Sequence, residues 1–311
     1  MSSLPLPPTD LPTLGELLAL RHAARGVLPV PRRARAAIDG GYRSPFKGRG
    51  MEFAETRIYQ PGDEIRHMEW RMTARTGKPH VKLFREERER AVLIWTDFRR
   101  PMFHATRGRF KVAQAVLAAT LAGWSAVLRG DRLGGLIFTE HRHRELRPAR
   151  GDRAVLEMIR EFLQFEELPA TGSAAIRQPL SQALMRLRRV ALPGSLILMF
   201  SDFRGLETGD HTHLAQLARH NDLMLFFLHD PLERELPPPG GRYPVRSGDE
   251  ARPRFLNVDD PVIRQAYAAR FTARLEALGG VCRSIGAGFV SCSTENDALG
   301  LLRANLRLTA P

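Results

Sequence analysis

Four short runs in this sequence are apolar almost without a break: Ala91–Trp95, Leu133–Phe138, Ser195–Phe200 and Leu223–Leu228. A strand with one face in water alternates apolar and polar side chains, so an unbroken run of this length is apolar on both faces and must be covered on both. Segments of helical period separate the runs. Arg109–Leu128 reads as a long, largely buried helix stopped by Gly130, and Asp152–Phe165 places Val155, Met158, Ile159 and Phe162 on one face. Leu180, Ala183, Leu184 and Leu187 mark a further helix, and His213–His220 another. Strands alternating with helices specify an α/β fold, a mostly parallel sheet with helices on both faces.

The flanks of this core divide the chain. Residues 1–41 read as an N-terminal helix and linker, in which Thr13 and Glu16 have the spacing of a capping box. Residues 42–88 read as a small β-rich layer, with strands at Glu52–Tyr59 and His80–Phe84 around a Pro61-Gly62-Asp63 turn. Residues 89–311 form the α/β domain. Near its end Asp260 caps a helix with Pro261 in first position, Gly279 closes it, and a last strand near Val281–Ser284 precedes a helix over Thr294–Leu306.

Charge is distributed unevenly. Residues 1–150 hold 28 Lys or Arg against 15 Asp or Glu, and residues 151–311 hold 19 against 19, so the whole net charge of +13 lies in the first half. Such a surface attracts nucleic acid, an anionic membrane or an acidic protein. Because 43 of the 47 basic residues are Arg, GC-rich coding is an equally simple source. No stretch approaches the roughly 18–20 unbroken apolar residues of a membrane span. Met1–Leu20 lacks the basic start and apolar run of a secretory signal. The two cysteines, Cys282 and Cys292, read as reduced core thiols. Together these features lead us to expect a soluble cytoplasmic protein.

One stretch is more specific than the rest. It runs Arg57-Ile58-Tyr59-Gln60-Pro61-Gly62-Asp63-Glu64-Ile65-Arg66-His67-Met68-Glu69-Trp70, then through Thr73-Ala74-Arg75 to His80-Val81-Lys82. With Ser44–Phe53 upstream, and Asp97, Gly130-Asp131-Arg132 and Ser201-Asp202-Phe203 downstream, it resembles the signature of a bacterial domain-of-unknown-function family, DUF58. The resemblance covers about Tyr42–Asp230. It implies a von Willebrand factor A-like domain and, as partner, a MoxR-type AAA+ ATPase, with this chain as a non-enzymatic adaptor. Many relatives carry membrane helices before this region. Asp63, Glu64 and Glu69 stand among Arg57, Arg66, Arg71 and Arg75, so the signature is either an internal ion-pair lattice or a docking face, with Arg57, Asp63, Arg66, Trp70 and Arg75 as its contacts. Trp70 reads most simply as a core anchor for the β-layer.

A von Willebrand A-like domain implies a divalent metal at the C-terminal edge of the sheet. It is held by Asp-x-Ser-x-Ser after the first strand and by a later Thr and Asp, through hard oxygen ligands. The matching run here is Asp97-Phe98-Arg99-Arg100-Pro101. Arg99 and Pro101 replace both serines, while Thr171 or Ser173 and Asp202 stand where the later ligands fall. No metal or other cofactor is expected. Arg99 instead becomes the candidate to bridge Asp97 and Asp202 through its planar fork of donors, leaving Arg100 to receive a partner's carboxylate. The alternative is that both arginines are solvated at a loop tip.

The remaining signals are weaker. His141-Arg142-His143 and His211-Thr212-His213 have strand spacing for two zinc ligands but no third, so they read as exposed histidines. Gly48-Arg49-Gly50 lacks the Gly-Lys-Ser/Thr ending of a phosphate loop. Cys282 has no Gly-rich or elbow context for a nucleophile. The competing functional class, nucleic-acid or anionic-surface binding through the basic half, has few stacking aromatics to support it, with four Tyr and three Trp.

Overall fold

The computed structural model describes residues 11–28, 51–60, 63, 65, 68–86, 89–165, 180–245 and 254–308. The chain divides into two compact units, residues 31–89 and residues 1–30 with 90–311. Helix α1 (Leu14–Ala23) therefore belongs to the larger unit; its capping box is formed, with the Thr13 side chain accepting from the Glu16 backbone N–H and Glu16 accepting in return.

In the smaller unit, β1 (Met51–Ile58) and β2 (His80–Glu86) pair antiparallel with a register shift between Phe53 and Glu55. Between them the chain is not extended throughout: Trp70–Thr76 is helical and forms α2. Glu69 accepts from the Arg71 N–H at its start, and Gly77 ends it at φ 70°, a left-handed cap that glycine adopts without penalty. Local capping forms this helix in a stretch that carries no periodic apolar signal.

The larger unit is built on a six-stranded sheet. In chain order its elements are β3 (Ala91–Asp97), α3 (Lys111–Leu128), β4 (Arg132–Phe138), β5 (His143–Ala149), α4 (Asp152–Gln164) and α5 (Leu180–Val190). There follow β6 (Leu196–Ser201), α6 (Asp210–His220), β7 (Asp222–His229), the short α7 (Pro231–Arg234), and a hairpin of β8 (Arg242–Val245) and β9 (Arg254–Asn257). Helix α8 (Pro261–Ile285), β10 (Gly288–Ser293) and α9 (Ala298–Leu308) complete it.

The strand order is β10-β7-β6-β3-β4-β5, parallel throughout except for β5, which runs antiparallel to β4 at the edge. Along β3, Val92 and Ile94 enter a core shared with α1, α3, α4 and α9, while Leu93 and Trp95 enter a second core shared with α5, α6 and α8. This is the expected α/β class, with helices on both faces. At Gly135 in β4 an added Cβ would run into the Ile94 carbonyl, so glycine is what lets β4 lie this close to β3.

Two expectations are corrected. Helix α8 does not stop at Gly279 but continues to Ile285, where Gly286 ends it at φ 70°, and the last strand is Gly288–Ser293. Gly279 is buried, with the Phe289 ring and the Arg283 guanidinium packed over its missing side chain, so its role is close approach and not termination. Helix α3 is long and apolar enough to cross a membrane by length and composition, though Lys111, Gln114, Thr120 and Ser125 interrupt its apolar residues; 89% of it is buried within the protein.

Candidate functional site

The chain passes from β3 to β4 and β5 on one side, then returns to place β6 on the other side of β3. The carboxyl ends of β3 and β6 therefore form the point where the winding reverses, which is where open α/β sheets present a ligand crevice. Asp97 is the last residue of β3, Ser201 is the last of β6 and Asp202 follows it; all three are fully buried.

Every oxygen of Asp97 is taken. Oδ1 accepts from the Arg99 backbone N–H at 2.9 Å and from Arg99 Nε at 3.0 Å. Oδ2 accepts from the second terminal nitrogen of Arg99 at 2.7 Å and from Ser201 Oγ at 2.6 Å. The remaining terminal nitrogen of Arg99 donates to the Arg204 carbonyl at 2.9 Å, and the guanidinium carbon lies 5.7 Å from the Phe138 ring. Burial alone would pull the Arg99 pKa down; Asp97, with Asp202 and Glu140 behind it, outweighs burial and holds it above the usual arginine value.

Arg99 does not bridge the two aspartates. Asp202 is held by a residue that sequence reasoning passed over, Lys111 at the head of α3. Its Nζ lies 2.9 Å from Asp202 Oδ2 and 2.7 Å from Glu233 Oε1, and its side chain is fully buried. Arg204 encloses the pair from outside: its backbone N–H donates to Asp202 Oδ1 at 3.0 Å, its Nε lies 3.3 Å from Asp202 Oδ2, and a terminal nitrogen lies 3.0 Å from Glu233 Oε1. Arg274 of α8 donates to the Asp202 carbonyl. Burial would raise the Asp202 pKa, but Lys111 and Arg204 bring it below the usual carboxylate value.

A strained turn sets this geometry. Phe203 has φ 51°, the only positive value among the described non-glycine residues. Its N–H is held by Ser201 Oγ at 2.8 Å, and its ring stacks on Trp95 at 6.2 Å between centroids. That reversal directs Arg204 back over Asp202. Left-handed backbone at a bulky residue persists only where its surroundings over-determine it, and such places cluster at functional sites.

These residues do not fit a divalent cation. The Asp97 oxygens already accept four donors, about the full lone-pair capacity of a carboxylate. The Asp202 carboxylate is already held by the Lys111 ammonium and by Arg204. Among the described residues no cluster of three or more His, Cys, Asp or Glu is suited to a metal. Next along the edge, Asp230 accepts from the Thr106 N–H at 2.6 Å and from Thr294 Oγ1 at 3.2 Å, a satisfied junction and not an open ligand set.

The other sequence candidates are placed as follows. Pro101 sits in a 3₁₀ turn over Arg100–Met102, and Arg100 is exposed while its backbone N–H donates to Glu140 at 2.8 Å. Thr171, Ser173 and Arg66 lie outside the described residues, as do Pro61, Gly62 and Gly48-Arg49-Gly50. Arg57 and Asp63 pair with each other at 2.8 Å, and Glu69 pairs with Lys82 at 2.6 Å, so part of the signature's charge is met internally. Arg75 is exposed on α2. Trp70 is not a core anchor: it is 64% exposed, the first residue of α2, a helix with no buried residue. His143 and His213 contact Arg186 and Arg188 of α5 at 2.7 and 2.9 Å. The signal that could have exposed Lys111 is its setting: it is one of only four lysines and the sole charge in an 18-residue helix.

Comparison with known proteins matches this chain to relatives without a described activity. An uncharacterised protein of Mycobacterium bovis is 29% identical over 272 residues, covering 88% of this chain and 84% of its own length, and an uncharacterised protein of Mycobacterium tuberculosis matches to the same extent. Among solved structures, the conserved hypothetical protein BatB from Bacteroides thetaiotaomicron is 14% identical, covers 71% of this chain and 98% of its own, and superposes with a TM-score of 0.43. An aerotolerance-related membrane protein from Bacteroides fragilis gives 13%, 70%, 99% and 0.40. A family profile described as "Protein of unknown function DUF58" matches residues 55–277. With most of its length matched, this chain belongs to the DUF58 family.

Proposed function

We propose that this protein is a non-enzymatic interaction module, an adaptor whose sheet edge receives an acidic surface of a partner without a metal ion. The observation that carries the reading is the pair of cations seated on the edge aspartates, Arg99 on Asp97 and Lys111 on Asp202. In a von Willebrand A-like domain a metal at this edge neutralises the two carboxylates and presents positive charge to a partner's Asp or Glu. Here side chains supply the neutralisation, and the exposed Arg100 and Arg204 supply the outward positive charge. The site is a degenerate metal-ion-dependent adhesion site on this reading. The partner suggested by the signature resemblance is a MoxR-type AAA+ ATPase, and the place of action is the cytoplasm. The exposed Trp70 and Arg75 of α2 offer a second contact.

The test is affinity capture by the tagged protein from nuclease-treated native lysate, run beside an R100E/R204E variant. Recovery of an AAA+ ATPase by the wild type and its loss in the variant is the expected result. In a parallel capture from lysate without nuclease, recovery of nucleic acid alone, sensitive to salt and indifferent to the two substitutions, would replace this reading with phosphate binding.

A further inference from the structure

Glu233 is bound in a lopsided way. Its Oε1 takes both Lys111, at 2.7 Å, and Arg204, at 3.0 Å. Its Oε2 is buried and accepts from no described group. A carboxylate oxygen shut away from water without a donor forfeits the hydrogen bonds that hydration would supply. Asp202, on the other side of Lys111, shows no such defect: each of its oxygens has a donor.

The two carboxylates also differ in how firmly the fold holds them. Asp202 follows a central strand and is fully buried. Glu233 lies on α7, a helix of four residues tied down by the Asp230 cap on the Leu232 N–H at 2.9 Å and by the Tyr267 hydroxyl donating to the Leu232 carbonyl at 2.9 Å. A turn of that length rotates a side chain outward without breaking a helix. On its solvent side Glu233 meets Arg204, whose side chain is half exposed.

We propose that Lys111 and Arg204 form an anion-binding subsite, that Glu233 is the chain's own occupant of it, and that an Asp or Glu carboxylate of the partner takes Glu233's place. The identity of the anion rests on the acidic-partner reading above; the subsite itself does not. A carboxylate arriving from solvent is free to turn both oxygens toward the two cations, which Glu233, anchored through α7, does not manage. The released Glu233 regains water for both its oxygens. The device sets a threshold: the edge holds its own carboxylate until a better-placed one arrives, and the observed affinity is reduced by the fraction of molecules in which Glu233 still occupies the subsite.

The experiment uses the full chain as wild type, E233Q, and E233Q/R204A. Glutamine keeps an oxygen for Lys111 but removes the competing charge. In the first arm the probe is sodium acetate against sodium chloride at equal ionic strength, read as Tm. E233Q is expected to gain an acetate-dependent rise that the wild type and E233Q/R204A lack; a folded E233Q with no acetate response overturns the subsite. In the second arm the probe is a purified MoxR-type ATPase from the same organism, and E233Q is expected to bind about five- to tenfold tighter than wild type. An acetate response with unchanged ATPase affinity overturns the displacement. An acetate response with no ATPase binding by any variant upholds the subsite and removes the adaptor reading. If E233Q does not fold, R204A serves in its place, with weaker ATPase binding expected and equal or tighter binding overturning the proposal.

Discussion

Lys111 Nζ and Asp202 Oδ2 lie 2.9 Å apart with both side chains closed to solvent, an ion pair the protein can neither hydrate nor easily relinquish. Removing Lys111 leaves two carboxylates, Asp202 and Glu233, to share the half-exposed Arg204. Lys111→Met is therefore expected to destabilise the fold by about 3–5 kcal/mol, read from urea denaturation. The pair also sets acid tolerance. Asp202 has a depressed folded pKa, so its contribution is present above its unfolded value near 4 and is lost as pH falls through the folded one. In Lys111→Met acid unfolding should begin at higher pH than in wild type; coincident acid transitions would show that the pair contributes nothing.

Metal binding should be absent for two separate reasons, one at each aspartate. Calorimetric titration of the wild type with Mg²⁺ or Mn²⁺ is expected to give no saturable heat. Arg99→Ser restores a hydroxyl beside Asp97 but leaves Lys111 on Asp202, and should still bind no metal. Only R99S/K111S is expected to show a Mn²⁺-dependent rise in Tm, which follows the logarithm of metal concentration over Kd. Binding by the wild type or by R99S would mean that the arginine and lysine are not the obstruction.

His229 at the end of β7 is buried, with its Nε2 3.0 Å from Ser291 Oγ and its ring stacked on Phe227. Burial disfavours its charged form and depresses its pKa. The unfolded chain then binds more protons in mild acid, so stability is fully present above the unfolded histidine value of about 6.5 and falls as pH drops below it. His143, lowered by burial and by Arg186, acts in the same sense. Urea midpoints measured between pH 8 and pH 5.5 should decline, and less steeply in His229→Gln; parallel declines would assign the effect elsewhere.

Both cysteines should be inert in the native protein. Cys282 lies in α8 and Cys292 in β10, each buried, and burial pushes the Cys282 thiol up to about 11 and that of Cys292 higher still. Thiolate is the reactive form. Iodoacetamide at pH 8 is expected to modify neither residue in buffer and both in denaturant, by mass spectrometry. Rapid native labelling at either position would show that its face of the core opens.

The parts of the fold legible in advance were those in which one periodicity dominates. β3, β4, β6 and β7 are buried along almost their whole length, and continuous apolar runs report that directly. β5 gave no comparable signal because it is an exposed edge strand in which only Leu146 is buried, among arginines and a proline. The end of α8 was misplaced because Gly279-Gly280 resembles a stop, whereas the distinction between a packing glycine and a capping glycine depends on Phe289, ten residues away. At the sheet edge, Asp97, Arg99 and Asp202 could be selected from their positions after apolar runs. The partner of Asp202 left one hint, its place as the sole charge of α3, but a lysine at a helix start ordinarily faces water, and the topology that carries α3 across the edge is what turns Lys111 inward. Phe203 gives no hint of its left-handed backbone.

The burial of α3 has a consequence for how the chain is made. Of the elements that enclose Lys111–Leu128, α1 and β3 precede it in the sequence, but β4, α4, β6 and α9 all follow, the last contributing Leu302 and Leu306. A ribosome delivers these in order, so the helix is complete long before the surfaces that will cover it exist. For that interval it has the length and apolarity of a membrane segment, with a single lysine at its head. The most sheltered helix of the finished protein is thus one whose cover is still largely unmade when it leaves the ribosome.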